Sequence, residues 1–218
     1  MVNRDAEKKD AATRAVAEIR DGMLVGLGTG TTAAFVVTAL ADRIREEGLK
    51  VRAVATSERT EKLAHEHAIE VLDFANVSAV DLAIDGADEI DSARRAIKGG
   101  GGALFREKVV AASAQRMIAV VDASKPVAKL GRFPLPIEVV PFAASFVFER
   151  VKALFPQITP AWRSRFKTDQ GNFILDLPFG AIDDPSALAA KLSIPGVLEH
   201  GLFLDEIDEV IVGQASLG

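Results

Sequence analysis

The chain contains no cysteine, so disulfide bridges, thiolate metal sites and cysteine nucleophiles are all excluded. Its three histidines are scattered, which leaves little from which to build a zinc site. No apolar run is long enough to span a bilayer, and the polar start (Asn3, Arg4, Asp5, Glu7, Lys8, Lys9) lacks the apolar core of a secretory signal. These absences point to a soluble, cytoplasmic protein. A net charge of -5 argues against a general nucleic-acid binder while leaving room for local basic pockets that focus an anionic substrate. Internal repeats and low-complexity tracts are missing too. What remains is a chain of 218 residues, 49% of them hydrophobic, with enough core for one large domain or two small ones.

One stretch concentrates the polar chemistry. Asp85 to Lys108, DGADEIDSARRAIKGGGGALFREK, holds Asp85, Asp88 and Glu89, a lysine followed by four glycines (Lys98 to Gly102), and the pair Glu107-Lys108. The apolar run Val80 to Ile84 before it has the character of a strand buried in a parallel sheet, which puts Asp85 at a strand's carboxyl end. In open α/β sheets the ligand crevice lies just beyond such ends, although Asp-Gly is also a common turn pair.

Taken in order, Arg4 to Ile19 has helical spacing, Met23 to Leu27 reads as a strand, and Gly28-Thr29-Gly30-Thr31-Thr32 is a loop opening onto a helix from Ala33 to Ile44. A glycine-rich turn between strand and helix presents backbone N–H groups to an anion, and the helix dipole favours the charge. The loop lacks the Gly-Lys-Ser/Thr ending of a nucleoside triphosphate site. Gly28-x-Gly30-x-x-Ala33 matches the looser dinucleotide fingerprint, but the acid that should close the second strand, Glu58, comes late. Threonine hydroxyls beside glycines suit a terminal phosphomonoester; alternatively Thr29 or Thr31 caps the helix, and both can hold together.

Val51 to Ala55 follows as a strand, Glu61 to His67 as a helix and Ile69 to Leu72 as another short strand. His65 and His67 lie two apart on a charged helix and face different directions, as surface residues do. Leu104 to Ala114 reads as a helix with Glu107 near its start, where the dipole favours an ionised carboxylate. After the strand Met117 to Val121, the segment Asp122 to Pro126 places Lys125 where it can reach the crevice of Thr29 to Thr32. Alternating strands and helices imply a Rossmann-like, mainly parallel α/β sheet flanked by helices.

The character changes near Gly131. Phe133 to Pro136 resembles a linker, Ile137 to Val140 a strand, and Phe142 to Phe155 a helix with Phe146, Val147 and Val151 inward. Asn172 to Asp176, Gly201 to Asp205 and Glu209 to Val212 read as strands, Pro185 to Leu192 as a helix, and Trp162 as partly exposed beside Arg163 and Arg165. The expected division is a catalytic domain of residues 1–130 plus 206–218 and a smaller α+β lobe of residues 131–205, with the last strand returning to the large sheet.

Seven segments, in this order, resemble the A-type ribose-5-phosphate isomerases: GLGTGTTA (Gly26 to Ala33), DGADEID (Asp85 to Asp91), KGGGGAL with REK (Lys98 to Lys108), VDASK (Val121 to Lys125), FPLPIEV (Phe133 to Val139), TDQGNFILD (Thr168 to Asp176) and IPGVLEHGLF (Ile194 to Phe203). The resemblance covers almost the whole chain. It implies a cofactor-free enzyme with no resident metal, usually dimeric or tetrameric, that interconverts ribose 5-phosphate and ribulose 5-phosphate. Carried over by motif, Glu107 would be the base and Lys98 the oxyanion stabiliser. Asp85 and Asp88, with Gly86 and Ala87 between them, would serve ring opening and sugar-hydroxyl contacts. Thr29, Gly30, Thr31, Thr32 and Lys125 would bind the phosphate end, with Lys8 joining them, and Gly99, Gly100 and Gly101 would line the substrate. Thr31 stands where many relatives carry serine, so the hydroxyl is kept and only pocket size differs. Two other classes remain open on this fold. A non-catalytic sugar-phosphate sensor would bind without turnover, and a related deaminase or coenzyme A transferase would do different chemistry.

Overall fold

The computed structural model describes residues 4–214; Asn3 and the outermost ends of the expected catalytic domain, residues 1–3 and 215–218, lie outside them. Its strands are β1 (Leu24–Leu27), β2 (Arg52–Ala55), β3 (Leu82–Asp85), β4 (Glu89–Ile90), β5 (Ala96–Ile97), β6 (Met117–Val121), β7 (Leu135–Val139), β8 (Ala161–Trp162), β9 (Phe173–Leu177), β10 (Val197–His200), β11 (Leu202–Phe203) and β12 (Glu209–Val212). Its α-helices are α1 (Arg4–Val16), α2 (Thr31–Glu47), α3 (Glu58–Glu66), α4 (Leu104–Ser113), α5 (Ala144–Leu154) and α6 (Pro185–Lys191). Among the described residues no helix is long and apolar enough to cross a membrane.

Two compact units emerge. The first comprises residues 1–87, 106–126 and 205–218, and the second residues 88–105 and 127–204. The expected boundaries therefore differ at residues 88–105 and 127–130, which group with the second unit, and at Asp205, which groups with the first.

In the first unit five parallel strands run in the order β12-β6-β3-β1-β2. The runs Leu82–Asp85 and Met117–Val121 are buried along their whole length, as strands covered on both faces must be. The chain lays β2 on one side of β1 and β3 on the other, so the strand order reverses between β1 and β3, where α/β sheets bind ligands. Helix α1 buries Glu7, Ala11, Ala12, Ala15 and Val16, and small side chains allow its close approach.

Several local expectations are corrected. Helix α3 starts at Glu58 rather than Glu61 because the Ser57 hydroxyl accepts the Thr60 N–H at 3.1 Å and caps it. Ile69 to Leu72 is reduced to one bridge, Ala53 with Val71.

The second unit carries a four-stranded sheet, β10-β7-β9-β8, and a small three-stranded one, β11-β5-β4, each antiparallel in its pairings. The expected linker Phe133 to Pro136 is corrected: Leu135 and Pro136 open β7, an inner strand whose side chains are all buried. Proline is tolerated there because β10's register stops at Ile137, while the Pro136 carbonyl still accepts the Gly201 N–H at 2.8 Å. Helix α5 turns Val147 and Val151 inward but leaves Phe146 57% exposed, a further correction. Trp162 is half-buried, stacked on Phe148 at 5.9 Å between ring centroids. A buried carboxylate, Glu138, accepts the Thr168 hydroxyl at 2.8 Å and the Asn172 amide at 2.9 Å, so the Thr168 to Asn172 turn is fastened to the sheet.

Candidate active site

At the switch point the sheet presents one carboxylate held by backbone. Asp85 closes β3 and is 3% exposed; its Oδ1 accepts the Thr29 N–H at 3.0 Å and the Gly86 N–H at 2.7 Å. Charge-assisted bonds of this kind stabilise the ionised carboxylate and fix its plane. Gly28 is required by contact: a Cβ there would lie 2.0 Å from Asp85 Oδ1. Gly30 is required by conformation, with φ at 105°.

Helix α2 begins at Thr31 with Gly30 as its N-cap, so neither Thr29 nor Thr31 caps it through a side chain. Thr29 spends its hydroxyl elsewhere, 2.7 Å from that of Thr56 and donating to Ser57 at 2.8 Å. Ser57 continues to Thr60 at 3.0 Å, and Thr60 returns to the Gly28 carbonyl at 2.8 Å. A closed chain of hydroxyls thus stiffens the loop that holds Asp85. Thr31 and Thr32 occupy the first turn of α2, where the dipole favours an anion. Thr32 lies against Gly86, whose Cβ position would be 3.7 Å from that of Thr32.

The charges of Lys125 and Lys8 both act on Asp122. Burial would raise the Asp122 pKa, but hydrogen bonds from the Ser124 hydroxyl and N–H, together with the charges of Lys125 and Lys8, outweigh it and hold the carboxyl below its ordinary value. Helix α1 is tied to this loop by buried Glu7, which accepts the Ala123 N–H at 3.0 Å. Position alone could have revealed Glu7, since it stands four residues before Ala11 on the buried face of α1.

Glu107 sits in the first turn of α4 and is 4% exposed, and its neighbour Lys108 pairs with Glu206 at 3.8 Å. Burial makes Glu107 unlike an ordinary surface acid and suits a group that must exchange protons.

In the second unit the remaining acids of the motif separate by role. Glu89 is structural: its carboxylate accepts the Gly131 and Phe133 N–H groups, each at 2.8 Å. Asp91 is structural as well, accepting the Ala93 and Arg95 N–H groups and pairing with the Arg95 guanidinium at 2.7 Å. Asp88 is half-buried, and its Oδ2 accepts the Gly100 N–H at 2.7 Å. Lys98 follows β5, is 2% exposed, donates its N–H to the Gly201 carbonyl at 2.9 Å and carries its ammonium 5.3 Å from the Phe203 ring centroid. Gly99 and Gly102 adopt φ of 99° and 78°, conformations that a glycine run supplies without strain. Ala87 is half-buried at the end of the first unit's share of the motif, and Gly101 is exposed in the glycine turn.

Sequence reasoning did not single out Thr56, Ser57 and Thr60, nor Arg163, which donates to the Gly99 and Gly100 carbonyls at 3.0 and 3.1 Å. Arg163 lies more than sixty residues from that turn, so no local pattern announces it.

Comparison with known proteins agrees with the geometry. Residues 52–216 match the sequence profile of ribose 5-phosphate isomerase A (phosphoriboisomerase A). The chain is 55% identical to a ribose-5-phosphate isomerase A of Sphingopyxis alaskensis, covering 100% of this chain and 96% of the relative. It is 44% identical to that of Limosilactobacillus reuteri, covering 97% and 95%. Among solved structures, a D-ribose-5-phosphate isomerase in complex with phospho-erythronic acid superposes with a TM-score of 0.93 at 39% identity, over 97% of this chain and 96% of the other.

Proposed function

The chain belongs to the ribose 5-phosphate isomerase A family, and from that premise we propose that it interconverts D-ribose 5-phosphate and D-ribulose 5-phosphate through a cis-enediolate. The observation that carries the reading is the buried Asp85, held by two backbone N–H groups at the sheet's switch point beside the threonine turn. The relative solved with phospho-erythronic acid, a sugar-acid phosphate, supports the same substrate class.

The reaction has to open the furanose, take the proton from C2 and return one to C1. Glu107 carries the proton, Asp85 and Asp88 hold hydroxyls and assist opening, and Lys98 with the N–H groups of Gly99 and Gly101 stabilises charge on the enediolate oxygens, the Gly100 N–H being spent on Asp88. Gly30, Thr31, Thr32, Lys125 and Lys8 bind the phosphate, while Thr29, whose N–H and hydroxyl both donate within the protein, shapes the turn around them; the shared effect of both lysines on Asp122 supports placing Lys8 with Lys125. The enzyme works in the cytoplasm without a cofactor. It assembles as a homodimer or homotetramer, a reading supported by the exposed apolar side chains Val140, Phe142, Phe146 and Leu198.

Proton NMR of ribose 5-phosphate in deuterated buffer with EDTA tests the reading. Appearance of ribulose 5-phosphate deuterated at C1 is expected; binding without turnover would replace the enzyme with a sensor. Glu107→Gln is expected to keep substrate affinity while turnover drops by about 10²- to 10⁴-fold, and a variant retaining most of its rate would remove Glu107 as the base.

A further inference from the structure

The peptide unit joining Gly99 to Gly100 is bonded at both ends. Its carbonyl accepts Arg163 Nη1 at 3.0 Å, and its N–H donates to Asp88 Oδ2 at 2.7 Å. The bond is trans, so C=O and N–H point in opposite directions and the guanidinium and the carboxylate lie at opposite edges of one peptide plane. The same Nη1 reaches the next carbonyl, Gly100, at 3.1 Å, so two successive carbonyls face Arg163 and their N–H partners face away. Arg163 is itself anchored: its Nε and Nη2 grip the two oxygens of Asp176 at 3.1 and 2.6 Å, and its guanidinium carbon lies 5.6 Å from the Phe166 ring centroid. Four groups are thereby linked in series: Asp176, Arg163, the Gly99-Gly100 peptide and Asp88.

We propose that Arg163 is a positioning residue for the isomerase reaction, setting the rotation of Asp88 through the Gly99-Gly100 peptide. This rests on the functional reading above. A cation on the carbonyl polarises the peptide and strengthens the bond its N–H makes, because hydrogen bonds in series reinforce one another. The planar fork is essential: one edge holds Asp176 while the remaining nitrogen spans two carbonyls, and an ammonium has neither the reach nor the geometry. A Cβ on Gly100 would lie 2.5 Å from Asp88 Oδ1, so the carboxylate rests against the bare glycine and its position follows the peptide that holds it. With Oδ2 fixed on the amide, Oδ1 is the oxygen left for a sugar hydroxyl.

The test is a double-mutant cycle read with two instruments. Arg163→Ala is expected to lower kcat by about 10- to 100-fold with KM for ribose 5-phosphate changed by less than about twofold. In an Asp88→Asn background the same substitution should cost almost nothing further. Losses that multiply, or an Arg163→Ala enzyme with full kcat, would overturn the proposal. Independently of turnover, the Gly100 amide proton should move upfield in Arg163→Ala, and an unmoved resonance would overturn the relay even if wild-type protein proved inert towards ribose 5-phosphate. An inert wild type with the shift observed would instead sink the functional reading and leave the relay standing. Should Arg163→Ala fail to fold, Asp176→Asn releases the anchor while keeping the guanidinium, and a several-fold loss in kcat with the same upfield shift is expected.

Discussion

Two glycine turns in this chain solve the same problem by different means. Gly28 to Gly30 and Gly99 to Gly102 each hold a carboxylate by backbone N–H, Asp85 in one case and Asp88 in the other, and each leaves no room for a Cβ beside it. The first is braced from within its own sheet, by Thr56, Ser57 and Thr60 on the segment that follows β2. The second is braced by Arg163, a residue distant in sequence. A loop stiffened by neutral hydroxyls at the edge of a buried parallel sheet is part of the core. One stiffened by a half-buried ion pair is an attachment, and damage to it should reach activity before stability.

Gly28→Ala should show the largest effect. Its new methyl would meet Asp85 down to Cβ, 2.5 Å away, among buried strands, and both activity and stability should fall, the latter by about 3 kcal/mol in urea unfolding. Gly100→Ala presents a similar clash to a half-buried side chain that can swing aside. There kcat should drop about tenfold with Tm nearly unchanged. Equal stability losses in the two variants would erase the contrast between the loops. Thr29→Val removes two hydroxyl bonds at once and should cost about 1–2 kcal/mol. The smallest effect is expected from Asp122→Asn, about 1 kcal/mol at neutral pH. Because the Asp122 carboxyl titrates below its ordinary value in the fold, its contribution is complete above the unfolded pKa of about 4 and fades as pH falls through the lower folded pKa. Denaturation of the two proteins should therefore converge in acid, and a gap that persisted there would assign the loss to packing.

Sequence was a good guide wherever chemistry is local. Strands β6 and β12 are bounded by turn residues and match their expected limits, Met117 to Val121 and Glu209 to Val212. Asp85 was placed at a strand end because an apolar run precedes it, and it ends β3. The errors have physical causes. Pro134 and Pro136 point to a linker because a proline's cost in a strand depends on whether a neighbour needs the N–H it lacks, and pairing is invisible in one dimension. The apolar pattern turns Phe146 inward, yet the fully buried positions of α5 are Val147 and Val151, with Phe148 and Leu154 packed beside them. Glu89 looked as chemical as Asp85 and Asp88 in DGADEID; only the three-dimensional course of Gly131 to Phe133 reveals it as a loop anchor. Arg163 was legible only as a neighbour of Trp162.

The position of β12 in the sheet has a consequence for synthesis. Strand β6 pairs with β12 on one side, and Arg116 next to it is bonded to Glu209 and to Glu18. On the ribosome, residues 122–208 must be made after β6 and before that partner emerges. Throughout that interval Met117 to Val121, five apolar residues, exposes a bare edge able to recruit another chain. Nascent chains released between Val121 and Glu209 should therefore be the aggregation-prone species, and late pairing across so long a loop should make closure of the sheet a slow step.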